Sequence, residues 1–88
     1  MKKTLSAHPY AQCEIIFNEN SIACKSYNTI VATITNGWLV INGLYSATTR
    51  RHIGAFVKEY ANLTYQTAKR LYNDGFKYNI HTGEICAI

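Results

Sequence analysis

The stretch Thr29-Ile30-Val31-Ala32-Thr33-Ile34-Thr35-Asn36-Gly37-Trp38-Leu39-Val40-Ile41 sets two β-branched and apolar runs on either side of an Asn-Gly pair. Asn and Gly accept positive φ readily, so Asn36-Gly37 suits a two-residue type I′ turn whose twist matches that of two antiparallel strands. That turn fixes the register. Ile34 then faces Leu39 and Ala32 faces Ile41 on one surface, while Thr35 pairs with Trp38 and Thr33 with Val40 on the other. The first surface is apolar and needs a cover; the second, to which the alternation also assigns Val31, is mixed.

Working outward toward the N-terminus, Cys13, Ile15 and Phe17 alternate with Glu14 and Ile16, and Asn18-Glu19-Asn20-Ser21 supplies turn residues before a returning strand from Ile22 to Tyr27. Asn28 marks a bulge or corner ahead of the central hairpin. The first half is thus an antiparallel meander of three or four strands. Residues 1–10, closed by Pro9, read as a polar leader, and residues 11–88 as a single domain. A chain of 88 residues has room for one core.

Toward the C-terminus the period changes. Ile53, Phe56, Val57 and Tyr60 recur at helical spacing, Ser46 or Thr48 offers an N-cap, and Arg51, Lys58 and Glu59 occupy the opposite side. Asn62-Leu63-Thr64 interrupts the pattern. Thr64 caps a second helix that buries Ala68, Leu71 and Tyr72, exposes Gln66, Lys69, Arg70 and Asn73, and ends at Gly75. Phe76 to Ile80 alternates again and turns at Thr82-Gly83, which predicts a short C-terminal hairpin. Two amphipathic helices following a sheet with one apolar face give an α+β fold with both helices packed on that face.

Composition excludes several classes. Hydrophobic residues are 48% and charged residues 16%, which describes a folding chain rather than a disordered one. No stretch approaches the roughly 20 apolar residues of a membrane span, and the N-terminal residues lack the apolar run of a signal peptide, so the expected location is the cytoplasm. Cys13, Cys24 and Cys86 have no C-x-x-C spacing and predict reduced thiols, Cys13 and Cys24 of them in the core, rather than a zinc site or a disulfide framework. His8, His52 and His81 fall in the leader, a helix and a turn, so no metal or other cofactor is expected. The five acids are scattered, and no phosphate-binding loop or catalytic triad spacing occurs. The expectation is a protein without catalytic activity.

The net charge of +4 is uneven, with +1 in residues 1–44 and +3 in residues 45–88. Tyr45, Ser46, Thr48, Thr49, Arg50, Arg51 and His52 gather hydroxyls, free backbone N–H groups and cations at one helix start, a combination that suits an anion. His52 itself reads as a half-buried helix histidine. Trp38, on the uncovered side of the hairpin, marks a second surface for a partner or for a homodimer. Trp38, Tyr45, Thr48, Thr49, Arg50, Arg51, His52 and Lys58 are therefore the candidate partner-binding residues. A rival set, Arg50, Arg51, Lys58, Lys69 and Arg70, would contact nucleic-acid phosphates with tyrosines stacking on bases. A third reading has the same helix start bind a small anionic nucleotide.

The order S-Y-N-T-x-V-A at residues 26–32 and Y-S-x-T-T-x-x-H-I at residues 45–53, with the tail Asn79-Ile80-His81-Thr82-Gly83-Glu84-Ile85, resembles a small-protein family of unknown function from phages and prophages. The resemblance spans residues 22–60. It implies a phage context with action in the host cytoplasm and, by the habit of such accessory proteins, an anti-CRISPR or other anti-defence inhibitor that binds and disables a host component such as a defence nuclease complex. A basic chain departs from the acidic inhibitors that imitate DNA, so occupation of an acidic or nucleic-acid-facing surface is the expected mode.

Overall fold

The computed structural model describes residues 2–4, 13–44 and 46–88. Among them, one seven-stranded antiparallel sheet runs in chain order: β1 (Lys2–Thr4), β2 (Cys13–Phe17), β3 (Ser21–Ser26), β4 (Thr29–Thr35), β5 (Trp38–Ile41), β6 (Phe76–Asn79) and β7 (Ile85–Ala87). Two helices, α1 (Ala47–Ala61) and α2 (Tyr65–Asp74), connect β5 to β6. The α+β reading holds, and the C-terminal hairpin joins the same sheet beside β5. Lys2–Thr4 falls within the stretch read as a leader and pairs with β2.

The central hairpin has the register that Asn36-Gly37 dictates: Ala32 opposite Ile41, Thr33 opposite Val40, Ile34 opposite Leu39 and Thr35 opposite Trp38. Asn36 at φ 52° and Gly37 at φ 86° supply the two positive torsions of the turn. A Cβ on Gly37 would lie 2.7 Å from the His81 ring, where β6 leaves the sheet. Gly37→Ala is expected to destabilise the fold by about 1–2 kcal/mol, the penalty of placing an L side chain in left-handed backbone. A thermal melt superimposable on the wild type would refute this account of the turn.

Val31 departs from simple alternation. Cys24 pairs with Ala32 but Lys25 pairs with Ile30, so β4 carries one extra residue, and Val31 and Ala32 both turn inward. Asn42 secures the bulge, its backbone N–H donating to the Val31 carbonyl at 2.8 Å and its side-chain amide to the Ile30 carbonyl at 3.2 Å. Val31 therefore belongs to the core and not to the Trp38 surface.

Cys13 and Ile15 of β2, Cys24 of β3, Ile34 of β4, and Leu39 and Ile41 of β5 form the sheet side of the core. Ile53, Phe56 and Val57 of α1 and Ala68 and Leu71 of α2 close it from above. Both helices end in left-handed caps, α1 at Asn62 and α2 at Gly75. Thr64 caps the start of α2 by accepting from the Thr67 N–H at 3.3 Å. Only residues 62–64 separate the helices, so α2 packs directly on α1.

Candidate functional site

The α1 helix is divided lengthwise between an inward stripe and an outward one, and its start is held by a polar clamp. Ser46 caps it, accepting from the Thr49 N–H at 3.3 Å. One turn inside, Thr49 and His52 face the sheet and meet Ser26 at the end of β3. The Ser26 hydroxyl lies 2.7 Å from His52 Nδ1 and 3.0 Å from Thr49 Oγ1, and the Ser46 hydroxyl donates to Thr49 Oγ1 at 3.3 Å. Ser26, Thr49 and His52 are all buried. Burial holds the His52 pKa below its ordinary 6.5, so the imidazole is neutral near pH 7.

A serine hydroxyl at hydrogen-bond distance from an imidazole is the start of a nucleophile–base pair, but here the hydroxyl is buried, with Ser26 2% exposed. The arrangement fixes the helix instead. Ser26 escaped the sequence reading because 26 positions separate it from His52. The available signal was a hydroxyl residue at an inward position of a strand, two residues beyond buried Cys24.

With Thr49 and His52 turned in, Arg50 and Arg51 are forced outward, and Lys58 follows two helical turns later on the same side. These three cations rim a groove of about 800 Å³ beside the start of α2. Gly54 and Ala55 of α1, Leu63 of the connection and Tyr65 of α2 form its floor and far wall. Gly54 permits the close approach, since a Cβ there would sit 3.3 Å from Tyr65 Cβ. The Tyr65 hydroxyl is buried without a hydrogen-bond partner, an arrangement that costs about 1–3 kcal/mol relative to a satisfied group. Among the described residues no carboxylate lines this groove.

The candidate residues thus divide. Arg50, Arg51 and Lys58 converge. Thr48 is exposed outside the groove lining, Thr49 and His52 lie beneath the surface, and Tyr45 lies outside the described residues. Lys69 and Arg70, the other two cations of the rival nucleic-acid set, are exposed on α2 and do not line the groove. Trp38 lies on the other side of the sheet, where the Lys77 ammonium stands 4.5 Å from the ring centroid. Trp38 and the helix start thus lie on opposite sides of the sheet.

The Trp38 side carries a cross-strand row of Ile16, Ala23, Thr33 and Val40, each half-buried, and no helix packs on it among the described residues. The Cys13 and Cys24 sulfurs, 3.5 Å apart, are buried in the core on the helix side. Their shared hydrogen bond and burial push the Cys24 thiol up, which keeps it protonated and unreactive. Among the described residues no three His, Cys, Asp or Glu side chains gather as metal ligands, and no helix is long and apolar enough to cross a membrane.

Residues 4–74 match the family of unknown function DUF8033. The chain belongs to that family. The DUF8033 match runs from Thr4 of β1 to the last residue of α2, so it takes in the Ser26 clamp and the whole groove and stops before β6 and β7. No curated protein and no solved structure matches the chain.

Proposed function

We propose that this chain is a non-enzymatic protein that binds and inhibits a host component, using the outer side of α1 as its contact surface. The observation that carries the reading is the convergence of Arg50, Arg51 and Lys58 on one groove with no carboxylate among the described residues of its lining. Arg50 and Arg51 near the start of α1 oppose the helix dipole and receive no stabilisation from it, while Lys58 in the last turn is favoured by it, so a partner's negative charge is the natural complement of the two arginines. The phage-like motif text supplies the host context: a host protein in the cytoplasm, a defence nuclease complex such as a CRISPR effector first among those to test.

The experiment is a pull-down from host lysate, with and without nuclease, comparing the wild type with Arg50→Glu/Arg51→Glu. Retention of one protein complex that survives nuclease and falls at least about tenfold in the double variant is expected, because reversing rim charges replaces attraction by repulsion. Inhibition of the retained complex in its own assay completes the test. Retention that disappears with nuclease would replace this reading by a nucleic-acid module, whose binding constant falls steeply with salt.

A further inference from the structure

The groove beside α1 has two chemical characters. Its rim carries three cations, and its floor is apolar: Gly54, Ala55, Leu63 and the body of Tyr65. Seven residues separate Arg51 from Lys58, which at 1.5 Å per residue is about 10 Å along the helix axis. A ligand that satisfies both characters carries negative charges about 10 Å apart with an apolar group between them. Two acidic residues three positions apart in an extended chain, or two turns apart on a helix, with an apolar residue between them meet that description, since either spacing is about 10 Å.

A nucleic acid fits less well. Its phosphates would find the rim, but among the described lining residues Tyr65 is the single aromatic ring, so the groove lacks the succession of rings on which neighbouring bases stack. Lys69 and Arg70, which would extend a phosphate track, lie outside the lining. The apolar floor would be left against a charged backbone.

We infer that the groove between Arg51, Lys58 and Leu63 takes a short acidic peptide segment that inserts an apolar side chain between its carboxylates. The inference rests on the proposed binding function and names the chemistry of the partner at that site. Charge complementarity supplies orientation and association rate, and burial of the apolar side chain on Ala55 and Leu63 supplies residence time.

The test uses the full chain and a fluorescent peptide of three Glu-Leu-Glu-Glu repeats, followed by anisotropy. Saturable binding is expected, weakened about tenfold or more when each Leu of the peptide is replaced by Ser, because the apolar side chain that leaves water on binding is then missing. Lys58→Glu and Arg51→Glu should each weaken it severalfold or more. Both residues are exposed, and a melting curve verifies that each variant folds. A third variant, Ala55→Glu, fills the floor with negative charge and should abolish binding.

Absence of peptide binding, or binding indifferent to these three variants and to the Leu-to-Ser exchange, overturns the inference. So does a twelve-nucleotide oligothymidine that binds more tightly and displaces the peptide. If the peptide fails while a host protein is still captured through Arg50 and Arg51, the binding function stands and the partner presents a folded acidic surface. If the peptide binds and no host protein is captured, the groove chemistry stands and the host-inhibitor reading falls.

Discussion

Phe56→Ala should destabilise the protein by about 3–5 kcal/mol, the range for removing a buried phenylalanine from a core that collapses only partly around the space. Phe56 is fully buried on the inward stripe of α1 and is the largest of the fully buried side chains. Its ring lies 5.4 Å from that of Tyr60, and Tyr60 in turn meets Phe17 of β2 edge-on at 5.9 Å. The three rings tie the helix to the sheet far from the Ser26 clamp, so α1 is held at two points along its length. Single domains have total stabilities of about 5–15 kcal/mol, so this one change consumes a large share. At about 4–8 °C per kcal/mol for a domain of this size, the melting temperature should fall by roughly 12 °C or more. Phe56→Leu, which keeps most of the volume, should lose under about 1.5 kcal/mol, and Lys58→Ala on the outer stripe should stay within about 0.5 kcal/mol of the wild type. A Phe56→Ala protein that melts with the wild type would mean that α1 does not cover the sheet as described.

The sequence made the local geometry readable and left the long-range geometry hidden, for physical reasons visible at particular residues. Asn36-Gly37 determines its hairpin register because only a two-residue turn with positive φ at both positions fits between runs of that spacing. Ser46, Thr64 and Gly75 announce helix ends through hydrogen bonds that span three or four residues. Val31 was assigned to the wrong side because a bulge changes the inward–outward count by one and depends on Asn42, eleven residues away. The pairing of β5 with β6 is set by two intervening helices and has no local signature.

The site follows the same division. Arg51 and Lys58 are legible because helical periodicity places them opposite Phe56, and Arg50 because it stands in the cluster of hydroxyls and cations at the helix start. The inward stripe Ile53, Phe56, Val57, extended back by one turn, also reaches Thr49 and His52, so their burial was readable from the same period. Leu63 and Tyr65 as groove walls were not, since their position depends on how α2 packs against α1. The residues that make a groove out of a row of cations are thus the ones that local pattern cannot supply.

Ser26→Ala should lower stability by about 1–3 kcal/mol, a large loss for the removal of one oxygen, because it leaves His52 Nδ1 without the hydroxyl 2.7 Å away and takes one of two partners from Thr49. The same clamp makes the fold sensitive to acid. His52 has an ordinary pKa of 6.5, which applies in the unfolded chain, and burial lowers it in the folded one. Above about pH 6.5 both states hold a neutral imidazole, and stability is independent of pH through this group. Below that value the unfolded chain takes up a proton that the folded chain refuses. Stability then declines as pH falls, by at most about 1.4 kcal/mol per pH unit, until the pH passes below the folded pKa and the decline stops. Urea unfolding of the wild type and of His52→Asn at pH 7.5 and pH 5.0 isolates the effect, since the remaining titrating groups are common to both. The wild type should lose more stability between the two pH values than His52→Asn does. Equal losses would mean that His52 is already accessible to solvent protons and that the clamp at the head of α1 is open. In that case the outward setting of Arg50 and Arg51, which depends on Thr49 and His52 being fixed inward, would need another cause.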